Sequence, residues 1–207
     1  MRLFNLNTPV MSALGKVADL VVLNLLFVIC CLPLVTIGAA STALYSVTLK
    51  MVKNEENYII KDFFYAFKSN LKVSTISWLI IVFLGTITFS YIRLIALIFG
   101  EDMNYLILFL LPLMTCFFLC VLYLFPYISR FDNTTFQTFK NSFLIAIVNF
   151  PYTLLLTLFY GLAVWFFLFF TNELTSFVGI IMGFSVCAYL TSIIYLRVFA
   201  RYEQIRK

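Results

Sequence analysis

The sequence predicts an all-α fold, a polytopic membrane helix bundle forming one domain over residues 1–207. It has about six membrane helices, two short interfacial helices and both termini on the inner side (N-in/C-in). Three observations carry that expectation. The chain is 63% hydrophobic and 11% charged, with a mean hydropathy of +1.04, whereas a soluble domain carries about 25% charged residues. Apolar runs of about 20 residues recur along it, the length a helix needs to cross a bilayer. Lysines and arginines fall in alternate connections, as residues flanking the inner leaflet do.

The opening run, NLLFVICCLPLVTIGAASTALYSV from Asn24 to Val47, is interrupted by Pro33 and Gly38. Proline cannot continue a helical ladder, and glycine accepts the backbone angles of a tight turn. The run is therefore expected as two short helices, residues 17–34 and 37–51, joined by a hairpin turn at Pro33, Thr36 and Gly38. The second helix carries Ser41, Thr42, Ser46 and Thr48 and is weakly apolar, so neighbours are expected to shelter it. Gly38, Ala39, Ala40, Ser41 and Ala43 let those neighbours come close. Four plainer spans follow, at residues 75–99, 104–125, 143–170 and 175–198.

Arg2 and Lys16 precede or open the first helix, and Lys50, Lys53, Lys61, Lys68 and Lys72 follow the hairpin. Arg130 and Lys140 flank Phe131, and Arg197, Arg201, Arg206 and Lys207 end the chain. The connections near Gly100 and Asn172 hold only Glu101, Asp102 and Glu173 as charges. A single crossing by the opening run would set the basic N-terminus opposite the basic loop after it. Two passes put every basic segment on one side. A re-entrant pair that does not fully cross satisfies the same charges and stays open as an alternative. A cleaved leader would need a cut near Gly-Ala-Ala-Ser at 38–41; the uncleaved chain is the expectation.

Two connections repeat a pattern. Phe64-Tyr65-Ala66-Phe67-Lys68-Ser69-Asn70 and Phe136-Gln137-Thr138-Phe139-Lys140-Asn141-Ser142 both read F-x-x-F-K followed by two small polar residues. Phenylalanines at i and i+3 share a helix face that can enter the acyl boundary, and the lysine then reaches anionic headgroups. Segments 62–70 and 134–142 are thus expected as interfacial helices. Phe64, Phe67, Lys68, Phe136, Phe139 and Lys140 would touch lipid or a partner, a plain topological anchor being the simpler role. The recurrence suggests two related helical hairpins.

Arg93, in FSYIRLIALIF, lies about 10 Å below the outer end of its helix. An unpaired charge there is unfavourable by a few kcal/mol, so Arg93 is expected either to snorkel outward or to pair with Glu101, Asp102 or Glu173. Asn24 and Asn149 lie within apolar runs, where asparagine commonly bonds a neighbouring helix. With Arg93 they are the candidates for an intramembrane polar site. The five cysteines have no zinc-like spacing and are expected as small buried packing residues. With no histidine in the chain, serine–histidine and cysteine–histidine catalysis are excluded within it. There is no Walker loop, dinucleotide fingerprint or H-E-x-x-H. No catalytic residue, cofactor or metal is expected. The net charge of +5 lies along one membrane face and suits anionic lipid better than nucleic acid.

The opening LFNLNTPVMSALGKVADLVVLNLL, the following CCLPLVTIGAASTALYSV, FFYAFKSN, FPYISRFDNTTFQTFKNSF and the tail YLRVFARYE together resemble the YesL-like family of small bacterial membrane proteins. Pro33, Val35, Thr36, Ile37 and Gly38 form the most specific element. The resemblance implies a Gram-positive source and an association with ATP-driven carbohydrate importers and with sensor kinases for sugars; it implies no reaction. The expected function is an accessory integral membrane subunit of such an importer, a scaffold or modulator and not an enzyme, in the bacterial cytoplasmic membrane. Its partners would be lipid, the importer's permease subunits and a sensor kinase. A stand-alone carrier or channel, or a regulator coupling sugar uptake to the kinase, is the alternative.

Overall fold

The structure, a computed structural model, describes residues 9–55, 58–99, 104–169 and 179–206. The candidate partners of Arg93, namely Glu101, Asp102 and Glu173, lie outside the described residues. Among the described residues every regular element is helical. Helix α1 is Pro9–Cys31, and a 3-10 turn, Leu34–Thr36, leads into α2, Ile37–Lys53. Then come α3, Ile59–Phe99; α4, Asn104–Ile128; α5, Thr135–Val148; and α6, Phe150–Phe169. A π-helical turn, Gly179–Gly183, opens into α7, Phe184–Arg206.

Four described stretches are long and apolar enough to cross a membrane: Leu14–Cys31, Leu34–Lys53, Ile59–Leu94 and Ile181–Tyr202. The bent pair α5–α6 makes a fifth if counted as one span. The apolar stretch Met114–Ile128 of α4 is shorter.

Helix α1 stops at Cys31 and not at residue 34, because the residue before a proline is driven out of the helical region. Helix α2 is the sheltered element: it packs against α1, α3, α4 and α7 and buries Gly38, Ala39, Ala40, Thr42, Ala43 and Thr48. Its hydroxyls are matched across the contacts. Thr42 bonds Ser74 of α3 at 2.8 Å, and Thr48 bonds Ser192 of α7 at 2.8 Å.

Three contacts fix the register of α2 on α3. Lys50 pairs with Asp62 at 3.0 Å, Thr42 meets Ser74, and the Trp78 indole N–H donates to the Leu34 carbonyl at 2.8 Å. Partners fall along α3 as they rise along α2, so the helices are antiparallel. The hairpin tip ends at the level of Trp78, and α3 continues past it for about 20 residues, or ~30 Å. At the other end, Lys16 of α1 donates to Asn54 at 2.7 Å. Asn54 itself caps α2 in the left-handed region, with φ 54°. Lys16 and Lys50 therefore share one end of the hairpin. Leu49 joins the same buried cluster as Tyr127, Val198 and Phe199, which brings the loop after α4 and the end of α7 near the end of α2.

Further boundaries differ from expectation, and α7 runs on to Arg206 past the expected end at residue 198. Segment 62–70 is not a separate interfacial helix followed by a span at 75–99; α3 runs unbroken through both, because nothing from Ile59 to Val73 interrupts the helix and Phe63 and Ala66 bury against the core. Nor is 143–170 one helix. Residues expected as an interfacial segment at 134–142 continue into α5, and the chain bends by 98° between α5 and α6. Asn149 sits at the break with φ −104° and ψ 42°. Its N–H still bonds Ile145 while its carbonyl receives Thr153. Pro151, in the first turn of α6, has no N–H with which to continue α5.

Candidate functional site

The proline–glycine element is built by two devices. The Thr36 hydroxyl donates to the carbonyls of Cys30 at 2.6 Å and Pro33 at 2.8 Å, and its N–H also bonds Pro33 at 2.9 Å. Pro33 and Thr36 thus make the turn. Gly38 does not serve it as expected: it lies inside α2 without a left-handed φ. A Cβ there would meet the Ser74 carbonyl oxygen at 2.5 Å and Trp78 Cβ at 2.7 Å, so the glycine is what lets α2 touch α3. Leu32, Leu34 and Val35 remain exposed at the tip.

The three candidates for an intramembrane polar site are held separately. Asn24 is fully buried and its Oδ1 accepts the Ser185 N–H at 3.0 Å, tying α1 to the start of α7. Asn149 is also buried; its Nδ2 donates to Ile145 O at 3.0 Å and to the Tyr202 hydroxyl at 2.8 Å. Ser185 and Tyr202 lie about 25 Å apart along α7, so the two asparagines do not share a site. Arg93 is exposed near the C-terminal end of α3, with no ion-pair partner among the described residues.

The two F-x-x-F-K copies show the same burial pattern. The first phenylalanines, Phe64 and Phe136, and the lysines Lys68 and Lys140 are exposed. Phe67 and Phe139 are half-buried against the core, and Ala66 and Thr138 are buried between them. Each motif therefore opens a helix by anchoring one ring inward and leaving one ring and one charge outside. The cysteines are less buried than expected: all five are free, four are half-buried and Cys116 is exposed.

Sequence reading missed a seam on α3. Leu79, Phe83, Thr86, Ser90, Arg93 and Leu97 are all exposed and recur at alternating spacings of four and three, so they fall along one helix face. Apolar surface flanks this line, whereas Thr86, Ser90 and Arg93 lie on it. It missed Trp78 and Tyr127 as well. The Tyr127 hydroxyl accepts from Asn133 Nδ2 at 2.8 Å and Asn141 Nδ2 at 2.9 Å. The asparagine cluster around the second F-x-x-F-K was the available signal.

Residues 20–91 match the family model described as "Protein of unknown function, DUF624". Over that stretch, about a third of the chain, the sequence is similar to that family. The match agrees with the YesL-like resemblance and runs from α1 through the hairpin and the first F-x-x-F-K to Tyr91, stopping short of Arg93. No curated protein and no solved structure matches the chain.

Proposed function

We propose that this protein is an accessory, non-catalytic subunit of the bacterial cytoplasmic membrane, with both termini inside. It docks through α3 onto the permease of an ATP-driven carbohydrate importer as a scaffold or modulator. The observation that carries this reading is the α3 seam: an arginine in line with Thr86 and Ser90 on an exposed apolar helix. Helices meet in lipid through small and polar groups, and a charge at that depth is tolerated when it is paired. A permease helix bearing a carboxylate opposite Arg93 supplies that pair. The importer as partner comes from the YesL-like resemblance. A regulator relaying the importer's state to a sensor kinase would use the same seam. The separate anchoring of Asn24 and Asn149 gives a stand-alone carrier no common polar path.

Affinity purification of the tagged full chain from native membranes tests the proposal. Permease subunits are expected to co-purify. Arg93→Leu is expected to reduce their yield by about tenfold, as loss of ~1.4 kcal/mol would, with melting of the isolated chain unchanged. Permease yield at background for the unsubstituted chain would overturn the reading.

A further inference from the structure

A pocket of about 550 Å³ lies between the end of α4, α5 and the last turns of α7. Tyr127, Asn133, Asn141 and Tyr202 give it polar groups, and Leu144 and Val148 are among its apolar lining. None of its lining residues is charged. A phenol oxygen that accepts a hydrogen bond keeps its own proton to donate. Tyr127 accepts two N–H bonds and Tyr202 accepts one from Asn149. Both phenols therefore retain a proton to donate, while the Asn133 and Asn141 carbonyls offer acceptors beside them. Asn149, itself not on the lining, joins two residues that are, Ile145 and Tyr202, and leaves its buried Oδ1 without a partner.

Neutral donors and acceptors in one pocket match hydroxyl groups, which donate and accept at once. A phosphate would find no cation on the lining. The apolar side continues outward: Leu144 and Val148 are exposed, as are Phe150 and Leu154 just beyond the bend. The ligand therefore needs hydrocarbon joined to a hydroxylated head. The basic residues Arg130 and Lys140 belong to the same loop and helix, which sets the pocket at headgroup depth on the proposed inner surface.

We infer that this pocket binds the hydroxyl-bearing head of a neutral diacyl lipid, a diacylglycerol or its glycosyl derivative, with the acyl chains laid along Leu144, Val148 and the start of α6. The inference does not depend on the importer partnership. It is tested with the full chain in phosphatidylcholine nanodiscs containing a diacylglycerol with a photoreactive acyl chain. The expected crosslinks map to peptides of α5 and early α6. Leu144→Trp, which fills the open side of the pocket from an exposed position, and Tyr127→Phe, which keeps the ring, are each expected to reduce the yield by about tenfold, equivalent to ~1.4 kcal/mol. Unlabelled glycosyl diacylglycerol or diacylglycerol should compete, the better competitor identifying the head; phosphatidic acid and free glucose should not. Equal yield in both variants, or equal competition by phosphatidic acid or by free glucose, would overturn the assignment.

Discussion

Among single residues, close approach between helices is decisive. Gly38 is required by what lies opposite it: the nearest neighbours of an added methyl are a backbone carbonyl and a Cβ on α3, neither of which can swing away as a long side-chain end could. Gly38→Ala should therefore destabilise the fold by about 1–3 kcal/mol, as overpacking does. Thermal melting in detergent measures it, and an unchanged midpoint would contradict the contact. Asn24 was legible as inter-helix glue from its apolar surroundings. Its partner, the backbone N–H of Ser185, was not, because no pattern in sequence marks which distant amide is left without a helical acceptor. Arg93 was legible as an outlier. Its alignment with Thr86 and Ser90 was readable from their spacing within the expected span; that this face stays uncovered by the other described helices was not.

At the scale of elements, apolar length and charge placement were enough to read the hairpin, the weak and sheltered α2, and the existence of the later helices. They were not enough to read boundaries. An apolar run says nothing about where a helix ends, and α3 absorbs its basic opening because Phe63 and Ala66 bury while the lysines stay outside. The break in the fifth expected helix had a visible signal in Asn149 and Pro151. The side-chain bonds of Asn149 make it a fixed corner, joining α5 to the end of α7. Asn149→Leu removes both donations and should cost about 1 kcal/mol. Hydrogen exchange is expected to quicken in peptides covering the α5–α6 corner and the last turns of α7, while the α2–α3 contact stays protected. Quickening at α2–α3 alone would contradict this role.

At the scale of the whole molecule, the lengths of α2 and α3 decide how the hairpin meets the bilayer. Helix α3 has 41 residues, about 61 Å at 1.5 Å per residue and twice a hydrocarbon core of ~30 Å. Lys61, Lys68 and Lys72 are exposed on its first third; Phe83, Phe89 and Leu97 are exposed on the remainder. The later part is therefore apolar and, at about 27 residues, long enough to fill a membrane by itself. On that placement the hairpin, whose tip stops at the level of Trp78, would go only part-way in and return to the side it left. This would be the re-entrant alternative, which keeps all basic segments together just as the expected two full crossings would. The most direct test places a single cysteine, Val35→Cys or Leu97→Cys, in a chain cleared of its native cysteines and sealed in vesicles of known orientation. A membrane-impermeant maleimide is then added from the outer side. Labelling is expected at Leu97→Cys, near the C-terminal end of α3, and none at Val35→Cys on the hairpin tip. Equal labelling of both positions from that side would show that the hairpin crosses completely, and would contradict the re-entrant placement.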